Sequence, residues 1–75
     1  MNDRHIGAAM PGKVLEVKVR PGQAAQKGET LLVTESMKME YVITAKSDAA
    51  IKTVHVIPGD MVEGGDLFIE LSLLG

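Results

Sequence analysis

Lys38 stands between two methionines, and glutamates bracket the group: Glu35-Ser36-Met37-Lys38-Met39-Glu40 occupies the middle of a 75-residue chain. A lysine side chain ends in a primary amine. Once deprotonated, that amine attacks an activated acyl group and forms a stable amide. The long stem then carries the attached group on a lever. The flanking methionines are flexible and polarizable, which suits docking against more than one partner surface. Little else in the chain offers chemistry. There is no cysteine, which excludes disulfides and thiolate metal sites and fits a reducing compartment. His5 and His55 are far apart and unaccompanied, so no metal site is expected, and His55 reads as an outward strand residue. No nucleophile–base pair, metal cluster or Gly-rich phosphate loop is present, so the chain is not expected to be an enzyme by itself.

The elements that position Lys38 are written twice. Sliding the sequence on itself by 37 residues puts Val17 on Val54, Val19 on Val56, Pro21-Gly22 on Pro58-Gly59 and Gly28-Glu29 on Gly65-Asp66. Val14 meets Ile51. Beyond Thr30 one residue is dropped, so that Leu31 meets Leu67. Two copies are too few for a solenoid and suit one domain of two matching halves. Each half reads as β: Leu15, Val17 and Val19 alternate with Glu16, Lys18 and Arg20. Val14 and Ile51 break the alternation at equivalent places, through a bulge or through burial on both faces. Pro-Gly fits the centre of a type II turn. Further strands are predicted over 31–36, 39–44 and 67–71. Short strands with frequent turn signals predict an all-β sandwich or flattened barrel.

Strands 31–36 and 39–44 leave only Met37 and Lys38 to connect them. That predicts a two-residue hairpin with Lys38 at its tip. Such turns need positive φ, which Asn-Gly supplies cheaply and Met-Lys does not. Strain accepted at that place points towards function. Two plainer readings compete with attachment. A lone surface lysine is usually a solvated charge, and Glu35 with Lys38 also has the spacing of a helical i,i+3 pair. The placement at the crossing between the halves favours attachment. Glu35 and Glu40 read as solvated flanks.

Composition narrows the function classes. The hydrophobic fraction of 45% with one Tyr, one Phe and no Trp gives a globular domain with an aliphatic core. A net charge of −2, scattered lysines and missing aromatics argue against nucleic-acid binding. No apolar run approaches the roughly 20 residues of a membrane span, and no signal peptide is visible, so membrane insertion is not expected. Residues 1–5 read as a flexible tail and 6–75 as the domain. An intracellular location is expected, cytoplasmic in a bacterium or in the mitochondrial matrix of a eukaryote.

Ser36-Met37-Lys38-Met39 resembles the attachment motif of biotinyl carrier domains, usually Ala/Ser-Met-Lys-Met. The likeness runs from about Ile6 to Leu71 and takes in Met10-Pro11-Gly12, the Pro-Gly turn, Lys27-Gly28, the strand into Glu35, and Gly65-Asp66-Leu67. His5-Ile6-Gly7-Ala8 with Met10-Pro11-Gly12 is most similar to the carrier domain of pyruvate carboxylases. The resemblance implies a flattened barrel of two four-stranded antiparallel sheets with quasi-twofold symmetry. It implies biotin joined covalently to Lys38 by a biotin protein ligase, with Met37, Met39, Ser36 and Glu35 recognised beside it. It further implies that the domain shuttles carboxybiotin between a biotin carboxylase and a carboxyltransferase. Ala45-Lys46-Ser47-Asp48-Ala49 departs from the Ala-Pro-x-x-Gly often found there, which leaves that turn open. An inserted segment found near the hairpin of some acetyl-CoA carboxylase carriers is missing. Lipoyl carriers share the fold but place Asp before the lysine and Ala after it. A cofactor-free interaction module of the same fold has no reason to keep Met-Lys-Met.

Overall fold

The computed structural model describes residues 4–73, and among these there is no helix. Eight strands alternate with turns: β1 (His5–Gly7), β2 (Gly12–Val17), β3 (Ala24–Ala25), β4 (Thr30–Ser36), β5 (Met39–Thr44), β6 (Ala49–Val54), β7 (Met61–Val62) and β8 (Leu67–Leu73). They form two four-stranded antiparallel sheets, ordered β1-β8-β6-β3 and β5-β4-β2-β7. The flattened barrel expected from the sequence is present. β1 begins at His5, inside the stretch assigned to the tail, because His5 pairs with Glu70 and the Arg4 carbonyl accepts a hydrogen bond from Leu71. Residues 1–3 lie outside the described residues.

The repeat governs the whole architecture. β2, β3 and β4 reappear 37 residues later as β6, β7 and β8, and β1 matches the last three residues of β5. The hydrogen bonds between the halves repeat in the same way. Gly22 N–H donates to the Ile51 carbonyl and Gly59 N–H to that of Val14; Gly28 N–H donates to Ala45 and Gly65 N–H to Ala8. Each half therefore closes on the other.

One point of the sequence reading changes and one open alternative is decided. The offset continues through Thr30 with no residue dropped: Leu31 matches Phe68, and Lys18→Leu31 is answered by His55→Phe68 in the backbone bonds. Burial decides this alignment, since Leu31 and Phe68 are both buried, as are Leu32 and Ile69. The break at Val14 and Ile51 is a bulge in each half, where the register shifts between Val14 and Glu16 and between Ile51 and Thr53. The extra residue turns Val14 and Ile51 into the core.

Four turns use one device. At Arg20-Pro21-Gly22-Gln23, Gln26-Lys27-Gly28-Glu29, Ile57-Pro58-Gly59-Asp60 and Glu63-Gly64-Gly65-Asp66 the last N–H donates to the first carbonyl. The third residue is always Gly, with φ of 87–98°, as a type II turn requires. The side chain of the fourth residue accepts from the first residue's N–H in every case. Two backbone groups are thus satisfied at each corner. Between the sheets lies a core of Val14, Leu31, Leu32, Ile51, Phe68 and Ile69. Burying each such side chain stabilises the fold by about 1.5–3 kcal/mol.

Candidate functional site

β4 and β5 pair with each other as a hairpin along their length. Their register pairs Thr34 with Tyr41, Glu35 with Glu40 and Ser36 with Met39, leaving Met37 and Lys38 as the whole turn. Both residues have positive φ, 53° at Met37 and 66° at Lys38, and no other non-glycine residue described does. This is the type I′ turn that matches strand twist. A side chain held in the left-handed region costs about 1–2 kcal/mol. The rest of the hairpin imposes that conformation, because the pairing on either side leaves no spare residue. Met37 is 90% exposed and Met39 60%, and Lys38 is exposed between them.

The tip stands on a rigid base. Ser36 Oγ donates to the Pro11 carbonyl at 2.6 Å. Gly12, at the start of β2, lies so close to β4 that an added Cβ would sit 2.6 Å from the Glu35 carbonyl oxygen. The equivalent residue in the other half is Ala49, so the repeat itself does not demand glycine here. Gly12→Ala is expected to push β4 away just below the tip, at about 1–3 kcal/mol. For a domain of this size each kcal/mol lowers the melting temperature by roughly 4–8 °C. Thermal unfolding checks this, and an unchanged melting temperature would contradict the close approach.

Of the residues singled out in the sequence, Lys38, Met37, Met39, Ser36 and Glu35 gather at this one hairpin. Ser36 differs from the rest in having a structural bond. Glu35 and Glu40 face each other across the strands, a like-charge pairing that weakens a hairpin rather than supporting it. Lys13 stands on the other side of Glu35. Gly12, the Pro11 carbonyl and Tyr41 belong to the base as well; Met10-Pro11-Gly12 entered the sequence reading only as part of the family resemblance, with no role at the tip, and Tyr41 only as part of a strand. The signal for Gly12 was its mismatch with Ala49. Tyr41 Oη donates to Met39 Sδ at 3.9 Å, a contact that strand pairing alone does not reveal. The Ala45–Ala49 turn, left open by its departure from the common pattern, is held by Asp48, whose Oδ1 accepts from Lys27 N–H at 2.8 Å.

Beneath the hairpin a cleft of about 70 Å³ is lined by Met10, Pro11, Thr34, Ser36, Tyr41 and Phe68 among others. It is below half the roughly 150 Å³ of an engineered cavity that takes benzene. No group of three or more metal-ligating side chains occurs among the described residues. His55 Nε2 lies 3.1 Å from Glu70 Oε1, on the sheet that does not carry the hairpin.

Comparison with known proteins agrees with this geometry. The sequence profile described as "Biotin-requiring enzyme" matches residues 4–71. The chain is 51% identical over 71 residues to pyruvate carboxylase of Staphylococcus aureus, covering 95% of this chain and 6% of that protein. It is 45% identical over 67 residues to the human mitochondrial propionyl-CoA carboxylase alpha chain, covering 89% of this chain and 9% of that one. The chain thus spans under a tenth of these relatives. Among solved structures, it superposes on the lipoyl domain of the Azotobacter vinelandii 2-oxoglutarate dehydrogenase complex with a TM-score of 0.85 and 26% identity, covering 95% and 98% of the two chains. A single-chain, multi-domain long-chain acyl-CoA carboxylase gives 0.84 and 28%, covering all of this chain and 8% of that one. With an exposed lysine held on a strained hairpin between matching halves, and with these likenesses over nearly its whole length, the chain belongs to the biotinyl/lipoyl-attachment domains of the biotin-requiring enzyme family.

Proposed function

We propose that this chain is the biotin carboxyl carrier of a carboxylase similar to pyruvate carboxylase, with biotin joined through an amide to Lys38 Nζ. The observation that carries the reading is the hairpin tip. Lys38 is the second residue of an exposed two-residue turn, bracketed by two exposed methionines, on a base fixed by Ser36 and Gly12. A carrier needs one amine that enters another protein's active site while the barrel stays outside. The two-residue turn provides that projection, and its fixed φ angles limit how far the lever's root can wander.

Bound biotin supplies a ureido nitrogen that takes up and releases a carboxyl group. The chain contributes position. Lys38 Nζ, relieved of its proton within a biotin protein ligase, forms the amide and thereafter serves as the stem. Met37 and Met39 offer apolar contact on both sides of the stem to whichever active site receives it. The barrel raises the local concentration of the cargo at each partner by tethering. The partners in this reading are a biotin carboxylase and a carboxyltransferase. The lipoyl domain's likeness reflects the shared fold, whereas the identity to carboxylases and the methionines at both neighbours of Lys38 favour biotin.

The test is carboxyl loading. The biotinylated chain, incubated with a biotin carboxylase, MgATP and radiolabelled bicarbonate, is expected to take up about one label per biotin. A fully biotinylated chain that stays unlabelled with an active carboxylase would overturn the carrier reading.

A further inference from the structure

We propose that Met37 is an oxidation site, and that conversion of its thioether to the sulfoxide shuts off loading of Lys38; the second limb rests on the carrier reading above. With no cysteine in the chain, methionine sulfur is the only sulfur that an oxidant meets. The four described methionines differ in how openly they meet it: Met37 is 90% exposed, Met61 75%, Met39 60% and Met10 41%. The most exposed one is the direct neighbour of the acceptor lysine.

The oxidant is a two-electron oxygen-atom donor of the peroxide class. The Met37 sulfur lone pair attacks one peroxide oxygen, an S–O bond forms, the O–O bond breaks and water leaves. Sulfur is oxidised by two electrons and hydrogen peroxide is reduced to water. A dithiol-dependent sulfoxide reductase reverses the step, giving methionine, water and a disulfide in the reductase. Met39, two residues on, is guarded. It is less exposed, and Tyr41 Oη donates to its sulfur, engaging one of the two lone pairs and lowering the nucleophilicity of the other. The hairpin therefore holds one open and one screened thioether around one amine.

The change at Met37 alters recognition. The thioether is an apolar, polarizable contact, and the sulfoxide is a strong acceptor with a large dipole. A partner surface that closes over the apolar side chain leaves the new oxygen buried without a donor, or fails to close. The type I′ turn offers no escape, since Met37 has one backbone conformation set by the strands on both sides.

The experiment treats the chain with graded hydrogen peroxide, maps sulfoxides by peptide mass, and measures initial biotinylation by a biotin ligase with biotin and ATP. Met37 is expected to oxidise first and Met39 after Met61. Tyr41→Phe is expected to speed Met39 oxidation relative to Met61. The oxidised chain is expected to load at least about ten-fold more slowly than the same chain unoxidised. Treatment with a sulfoxide reductase restores the rate. Met37→Leu keeps its own starting rate through the same treatment, whereas Met61→Leu loses rate as the wild type does. Loading that is indifferent to oxidation, or a Met37→Leu chain that loses rate equally, would overturn the proposal. An unoxidised chain that a ligase never loads would refute the carrier reading instead, and the order of oxidation would still decide the first limb.

Discussion

Lys38→Arg is expected to abolish biotin loading altogether. The substitution keeps a positive charge and a long, unbranched stem, and it leaves the hairpin's backbone demands unchanged. What it removes is a nucleophile. A guanidinium does not lose its proton in a protein, and its charge is delocalised over a planar fork. No amide forms at position 38, so the loss is complete rather than graded. The other lysines, Lys13, Lys18, Lys27, Lys46 and Lys52, do not replace Lys38. None sits in a two-residue turn that joins two strands paired with each other, and Lys18 is paired with Glu16 at 3.1 Å. Intact mass after incubation with ligase, biotin and ATP checks the result. Modification of the Lys38→Arg chain to the wild-type extent would mean that the acceptor lies elsewhere.

Phe68→Ala is expected to remove a large share of the stability of the barrel. Phe68 is 2% exposed, at the start of β8, and it lines the cleft below the hairpin. Its counterpart in the other half is Leu31, so the two largest side chains at this level of the core face the same demand from the fold. Truncating a buried Phe costs about 3–5 kcal/mol. A domain of this length has roughly 4–11 kcal/mol in all, at about 0.05–0.15 kcal/mol per residue. The variant should show a much lower urea midpoint and a melting temperature lowered by more than about 12 °C. Lys52→Ala, on an exposed position of β6, should stay within about 0.5 kcal/mol of the parent. A Phe68→Ala chain as stable as its parent would show that the core does not close around this ring.

The hairpin was legible in the sequence because pairing arithmetic left two residues between two strands, and the structure places Met37 and Lys38 there. The duplication was legible through Pro21-Gly22 and Pro58-Gly59, whose chemistry is local. Its course past Thr30 was not. Leu31 and Leu67 match by type, whereas Leu31 and Phe68 match by burial, and burial belongs to the folded chain. Ala24–Ala25 and Met61–Val62 form strands of two residues, too short to show any period. His5–Gly7 is a strand only because β8 lies beside it. The acceptors at the four corners were half visible: Glu29 and Asp66 follow a glycine in both copies, and Gln23 and Asp60 do so too but differ in type. At the site, the amine and its methionines were evident. The base built from Gly12, Pro11 and Ser36 depends on residues far apart in the chain and emerged only from the close approach of β2 to β4.

The most direct test of the account is the mass of the chain after exposure, in parallel, to a biotin ligase with biotin and ATP and to a lipoate ligase with lipoate and ATP, followed by peptide mapping. The account predicts one biotinyl group, carried on the peptide containing Lys38, and no lipoyl group. A lipoyl group in its place, a biotinyl group on a different lysine, or no gain from either enzyme would contradict it.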